Sequence, residues 1–347
     1  MTGAREALLP FLALLACAPA SAPASAQEPT FAFEELGPGV FAAVVVPNPP
    51  SYAFAGSLVV VGDDGVLVVD TQQSTTAARA LIAEVRARTE LPVRWVVNTH
   101  WHGDHVYGNQ AYREAYPGVV FVGHDRTREG VLTRGREALA RELETLPGTI
   151  ADRSRWLETG VGPGGDPLTD AQREAVRRSH RLRTEYLAML GELELIPPDV
   201  TVDGVLTLHL GGRSVRIHPV GPAHTEGDVV VEVVGTGIVA VGDLLEEGTP
   251  YIDDADMAGW ARALEYVAGL EPTVVVPAHG SVQRSGGLLA WQTAFFAAAA
   301  EAANAVAAGE DPEVAAARLA GFGGDFASVG VDGERFAAFV RRVIGRE

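Results

Sequence analysis

The chain contains no lysine: all 27 of its basic residues are arginine, set against 45 acidic ones for a formal net charge of -18. That balance argues against a nucleic-acid ligand, because neutralising phosphates requires a basic surface. Schiff-base chemistry and a phosphate-binding P-loop both need a lysine and are excluded. Genomic base composition accounts for the missing lysine beside abundant Ala, Arg and Gly without any functional cause. The single cysteine, Cys17, allows no internal disulfide and no thiolate cluster. A long hydrophobic run is missing too, since Ala7 to Ala20 is apolar but short and broken by Pro10 and Pro19, which leaves no membrane span.

What the N-terminus does contain has the layout of an export signal. Arg5 supplies a short basic region, the apolar stretch follows, and Ala24-Ser25-Ala26 offers a small-residue cleavage site. The expectation is a signal peptide over residues 1–26, a mature domain over 27–347, and a periplasmic or secreted protein. Leu14-Leu15-Ala16-Cys17 is similar to a bacterial lipoprotein box, so the alternative is a lipid anchor at Cys17; both routes place the protein outside the cytoplasm.

Beyond the leader, β-branched runs broken by Gly, Pro and Asp predict strands at 40–46, 57–61 and 66–69, then a helix over 76–89 and a strand at 93–97. A short helix over 109–116 and a strand at 119–122 follow. The second half predicts strands at 205–210, 214–220, 229–234 and 238–241, a helix at 257–270 and a strand at 273–276. The fold class is therefore α/β, as a four-layer sandwich. Between the halves, residues 126–196 carry Arg, Glu and Leu at helical spacing, broken by the glycine-rich stretch 160–165, and are expected to form an inserted helical hairpin. Its expected role is a wall or lid over the site, or a contact in a homodimer. An alanine-rich helical extension occupies 286–347.

The chemistry concentrates in His100-Trp101-His102-Gly103-Asp104-His105, at the end of a buried strand. A His-x-His-x-Asp-His pattern arises by chance about 3 × 10⁻⁴ times in a chain with nine histidines. Neutral imidazoles and a carboxylate suit zinc. Four ligands within six residues cannot converge on one ion without strain, so the spacing suggests two ions, with His100 and His102 turned to one, Asp104 and His105 to the other. The remaining ligands must come from elsewhere. His224 in Pro222-Ala223-His224-Thr225, Asp243 after Val241-Gly242, and His279 in Pro277-Ala278-His279-Gly280 each sit at a strand end, where they could line one edge of the sandwich.

These four segments, in this order, resemble the metallo-β-lactamase superfamily over about residues 31–285. The resemblance implies an αβ/βα sandwich with its site at one edge of the two sheets. It further implies that His100, His102 and His224 bind one zinc, that Asp104, His105 and His279 bind a second, and that Asp243 bridges. An aspartate at the bridging position is similar to glyoxalase II enzymes and lactonases rather than to those β-lactamases that carry cysteine or serine there. The stretch from Gly242 through Tyr251 to Trp260 resembles exported, quinoprotein-associated zinc hydrolases. The lysine with which some β-lactamases and glyoxalases hold a substrate carboxylate has no counterpart here.

The expected function is hydrolysis of a small-molecule β-lactam, lactone, ester or thioester by a hydroxide shared between two Zn²⁺ ions, iron or manganese being alternative metals. Asp104 is the expected catalytic group, binding metal and orienting the nucleophile. Two rivals are a mononuclear iron oxidoreductase resembling persulfide dioxygenases, with His100-, His224- and Asp243-type ligands, and a non-catalytic metal-binding protein. Tyr251 and His124 are candidate substrate contacts, by hydrogen bonding and by position. His180, His209 and His218 are expected to be structural.

Overall fold

The computed structural model describes residues 30–345; the expected signal peptide and Cys17 lie outside them. The first half of the chain runs through β1 (Phe31–Gly37), β2 (Val40–Val45), β3 (Ser57–Val61), β4 (Val66–Val69), α1 (Thr75–Arg88), β5 (Val93–Val97), α2 (Gly103–Val106), α3 (Asn109–Ala115) and β6 (Val120–His124). Three helices follow, α4 (Asp125–Leu132), α5 (Arg134–Thr159) and α6 (Asp170–Leu190), and then β7 (Val200–Val202). The second half runs through β8 (Leu206–His209), β9 (Ser214–Pro219), β10 (Val229–Val233), β11 (Ile238–Gly242), α7 (Met257–Gly269) and β12 (Val274–Pro277). The chain then finishes in α8 (Gly287–Ala307), α9 (Pro312–Leu319), a 3-10 turn, α10 (Gly323–Ser328) and α11 (Gly333–Ile344).

The strands form two sheets, one of seven in the order β1 to β7 and one of five in the order β12-β11-β10-β9-β8. Four layers follow from side-chain alternation, since successive residues of a strand face opposite sides. In the first sheet Leu67, Val69 and Val97 meet Ile217, Val231 and Ala240 of the second. The intervening Val66, Val68 and Val96 turn outward beneath Ala77, Leu81 and Val85 of α1. In the second sheet Val230, Val239 and Val241 turn outward beneath Trp260 and Leu264 of α7 and Phe295 of α8. Strands covered on both faces lose the polar alternation of half-exposed ones, which is why β4 and β11 read as unbroken apolar runs.

The structure adds two strands to those expected. β1 pairs antiparallel with β2. β7 is only three residues long and pairs parallel with β6; its Val-Thr-Val is too short to give a periodic signal. The segment expected as an insertion holds α4, α5 and α6. The last two lie side by side, with α6 opened by a capping box between Thr169 and Gln172. Tyr186 and Leu190 of α6 and Val131 of α4 pack on Trp101, Val106 and Tyr107, so the hairpin rests directly on the His-rich segment. Among the described residues, no helix is long and apolar enough to cross a membrane.

Leu67 is fully buried between the sheets. Leu67→Ala is expected to lower unfolding free energy by about 2 to 5 kcal/mol, the sum of lost transfer energy and the cavity left behind. Glu185→Ala, which removes an exposed pair with Arg181 on α6, is expected to change it by less than about 0.5 kcal/mol. Urea midpoints of the two variants check the contrast.

Candidate metal centre

The site grows from the C-terminal end of β5, where the chain leaves the sheet through buried Asn98 and Thr99 and turns into α2. Polar anchors fix this turn. Thr99 donates both its backbone N–H and its hydroxyl to Asp70, each at 2.8 Å. Asn98 Nδ2 and Thr71 Oγ1 each donate to the His105 carbonyl at 3.0 Å. Asp70 adopts φ 62°, a left-handed conformation that aspartate tolerates better than most residues, at the end of β4. From β11, Gly242 at φ 56° delivers Asp243; a Cβ on Gly242 would lie 2.7 Å from Thr99 Oγ1, so only glycine lets the two loops approach this closely.

Two groups of donor atoms result, each with its members within 4.8 Å of one another: His100, His102, His224 and Asp243, and Asp104, His105, Asp243 and His279. In the first, His102 Nδ1 lies 3.0 Å from both His100 Nε2 and His224 Nε2. The hydrogen-bond network assigns the protons elsewhere. His100 Nδ1–H donates to Thr99 Oγ1 at 3.1 Å, and His102 Nε2–H donates to Asp254 Oδ2 at 3.1 Å. Lone pairs of His100 and His102 therefore face each other, an arrangement that repels unless a cation lies between them. In the second group His105 Nδ1–H donates to Asp70 at 2.8 Å, which turns Nε2 inward. His105 Nε2 and Asp243 Oδ1 are both buried without a hydrogen-bond partner. Asp243 faces both groups: Oδ2 lies 3.6 Å from His100 Nε2 and 3.5 Å from His224 Nε2, while Oδ1 lies 3.2 Å from His105 Nε2 and 3.4 Å from His279 Nε2. Inward lone pairs, orphaned buried acceptors and a carboxylate turned to both sets are the donor chemistry of a metal centre.

Electrostatics separate the groups. Burial, and then the neighbouring imidazoles, push His100 well below the ordinary histidine value; burial pushes His224 down to about 3. Both are neutral near pH 7. His105 and His279 go the other way: burial lowers them, but Asp243 and Asp104 outweigh it and hold both well above the usual value. In turn, burial raises Asp104 and Asp243, yet the same two histidines hold their carboxyls well below the usual range.

A cleft of about 580 Å³ opens over the two groups. Trp101, Tyr107 and Tyr251 give it apolar surface, and Arg134, Ala138 and Arg141 of α5 form one wall. Tyr251 is half-exposed, with its ring centroid 5.3 Å from that of His102. His124 is not among the residues lining this cleft; its Nδ1 accepts the Arg126 N–H and caps α4. His180, His209 and His218 bond to Ser154, Ser214 and the pair Tyr266 and Glu232.

Four functional residues escaped the sequence reading. Asp70 orients His105, and Asp254 orients His102. Trp260 donates its indole N–H to Leu244 O and places its ring 5.1 Å from His224. Glu246 is buried in the cleft lining, where burial and then Asp243 push its carboxyl up to about 8, so it carries a proton near pH 7. Only Asp70 left a signal that sequence could offer, a lone carboxylate ending an apolar strand; the others depend on contacts between distant segments.

A sandwich of two covered sheets with two adjoining His/Asp clusters at one edge defines a metal-binding α/β enzyme fold. The chain belongs to the metallo-β-lactamase superfamily, whose family model matches residues 54–279. Among named relatives it is 23% identical over 228 residues to the linear primary-alkylsulfatase of a Pseudomonas species, a match over 62% of this chain and 40% of that one. It is 39% identical over 72 residues to the hydroxyacylglutathione hydrolase of Gloeobacter violaceus, over 19% of this chain and 29% of that one. The matched region thus spans less than half the length of either relative, both of which are hydrolases by name. Solved structures with a similar fold include a metallo-β-lactamase from Pontibacter korlensis (TM-score 0.53, 19% identity, 77% of this chain and 99% of that one). The metallo-β-lactamase FIM-1 of Pseudomonas aeruginosa in its mono-zinc form is similar to the same degree (TM-score 0.53, 19% identity, 79% and 97% coverage).

The two groups are expected to lose metal at different pH. Protons compete for His105 and His279 up to raised pKa values, so the second group's affinity falls as pH drops through and below them. The lowered pKa values of His100 and His224 leave the first group little affected until more acid conditions. Metal held by the second group is expected to be lost before metal held by the first as dialysis steps from about pH 8 to about pH 5, read as metal content per chain.

Proposed function

We propose that this protein is a dinuclear, zinc-dependent hydrolase that cleaves a carbonyl-centred bond in a small molecule outside the cytoplasm. The carrying observation is the placement of Asp243, one oxygen towards each set of donors. His100 Nε2, His102 Nδ1 and His224 Nε2 would hold one ion, and Asp104, His105 Nε2 and His279 Nε2 the other. Zinc held there would lower the pKa of water from about 15.7 to about 7 and polarise a substrate carbonyl.

The chain's own residues supply the rest. Asp104 Oδ2 lies 3.1 Å from His279 Nε2, so this carboxylate is anchored on one side while lining the cleft, placed to orient a nucleophile and accept its proton. Tyr251 offers a hydroxyl on the cleft lining for the substrate's carbonyl oxygen, on which negative charge develops as the nucleophile adds. Trp101 and Tyr107 exclude water beneath the substrate. A β-lactam, lactone, ester or thioester suits this arrangement, and the alkylsulfatase relative brings a sulfate ester into the same test. The mainly acidic surface disfavours long phosphodiester polymers. Export rests on the leader sequence, and α5, with α6 packed beside it, acts as a wall of the cleft.

Purified mature protein loaded with zinc is expected to hold two ions per chain and to turn over at least one β-lactam, lactone, ester or thioester in a panel that also holds alkyl sulfates and phosphodiesters; turnover of the last two alone contradicts the carbonyl-centred reading. Asp104→Ala is expected to reduce kcat/KM by more than about 100-fold. Fewer than two ions in the loaded protein, or full activity in Asp104→Ala, contradicts the proposal.

A further inference from the structure

The segment α4 to α6 does more than border the cleft, because its base touches both loops that deliver the first donor group. Gly130 of α4 abuts the Trp101 indole so closely that a Cβ there would lie 2.5 Å from the ring. Thr127 Oγ1 donates to Gly227 O at 2.7 Å, gripping the turn that carries His224. Arg134, the first residue of α5, spans the two loops with its guanidinium: Nη2 donates to Glu226 Oε1 at 2.9 Å and Nη1 to Asp254 Oδ1 at 3.2 Å. The other oxygen of Asp254 accepts the His102 Nε2–H. A continuous chain of hydrogen bonds thus runs from the helix to an imidazole whose far nitrogen points at the donor cluster.

We propose that Arg134 is a positioning residue through which the inserted helices set the metal affinity of the His100, His102 and His224 group. The inference rests on the metal-centre reading of that group. An imidazole presents Nδ1 as a lone pair only while Nε2 keeps the proton, and Asp254 enforces that tautomer only while it stays in place. Asp254 is a loop residue held by this guanidinium fork, whose two N–H directions are fixed by one rigid plane. Its partner Glu226 is two residues from His224, so the same fork sets the spacing between two of the three imidazoles. Without Arg134, His102 can rotate or exchange tautomers, and the His224 turn keeps only its tie to Thr127 of α4. Among the described residues, no member of the Asp104, His105 and His279 group hydrogen-bonds to Arg134, Glu226 or Asp254, so the effect is selective.

Titration of full-length protein with Co²⁺ and Zn²⁺ tests this. Absorption bands of each bound Co²⁺ are assigned by their loss in His102→Ala and His279→Ala. Arg134→Ala is expected to weaken the first ion about 10- to 100-fold, to change its Co²⁺ spectrum and to leave the second unchanged. Arg134→Lys, which keeps the charge but not the fork, is expected to show most of that loss and covers the case in which the alanine variant fails to fold. In an Asp254→Ala background, Arg134→Ala is expected to add less than its effect alone, because the two act along one path. Arg94→Ala, which removes an exposed arginine paired with Asp64 far from the cleft lining, is the control expected to change nothing. Wild-type affinity in the Arg134 variants, equal weakening of both ions, or additive effects with Asp254→Ala would overturn the inference. Wild-type protein that takes up one ion at the first group overturns only the dinuclear reading, since the coupling is still read on that ion; uptake of none overturns both.

Discussion

A single buried carboxylate organises this molecule. Asp243 sits at the end of β11 with its two oxygens turned to different sets of histidines, and burying an anion in that position is costly unless cations or donors surround it. The His-rich turn after β5, the His224 turn between β9 and β10, and the His279 turn after β12 all converge on it. The sheets can be regarded as the means of bringing those three turns to one edge. Gly242, forced to a positive φ beside Thr99, is the local cost of fitting the carboxylate under the first turn.

Around this core, a second set of carboxylates controls the protons. Asp70 accepts the His105 Nδ1–H and Asp254 the His102 Nε2–H, so the opposite nitrogens face the donor clusters. The same arrangement divides the site electrostatically. One group is made mostly of neutral, desolvated imidazoles, the other of imidazoles paired with carboxylates. Metal bound to the second must displace protons, and metal bound to the first need not. Such an asymmetry would give the two donor groups different metal affinities without any difference in the number of donors.

Much of this was legible in the chain. The apolar runs at β3, β4, β10 and β11 announce buried strands, and the His100 to His105 motif announces the metal chemistry before any fold is known. His224, Asp243 and His279 were identifiable because each follows an apolar strand closely. The strand β7 was not, since three residues set by pairing with β6 carry no period of their own. His124 caps α4, a role that sequence does not reveal, because a histidine after a buried strand looks the same whether it faces a cleft or caps the next helix. Asp254 and Arg134 were hidden for a different reason: their importance lies in one hydrogen bond to a residue 152 positions away and another spanning 120, and pattern along the chain cannot reveal pairing across it.

The central claim is that Asp243 is shared by two metal ions. Anomalous diffraction at the zinc edge, from crystals of the zinc-loaded protein, tests it directly. The account predicts two peaks about 3.5 to 4 Å apart with the Asp243 carboxylate between them. A single peak, or two peaks of which only one lies within bonding distance of Asp243, would contradict it.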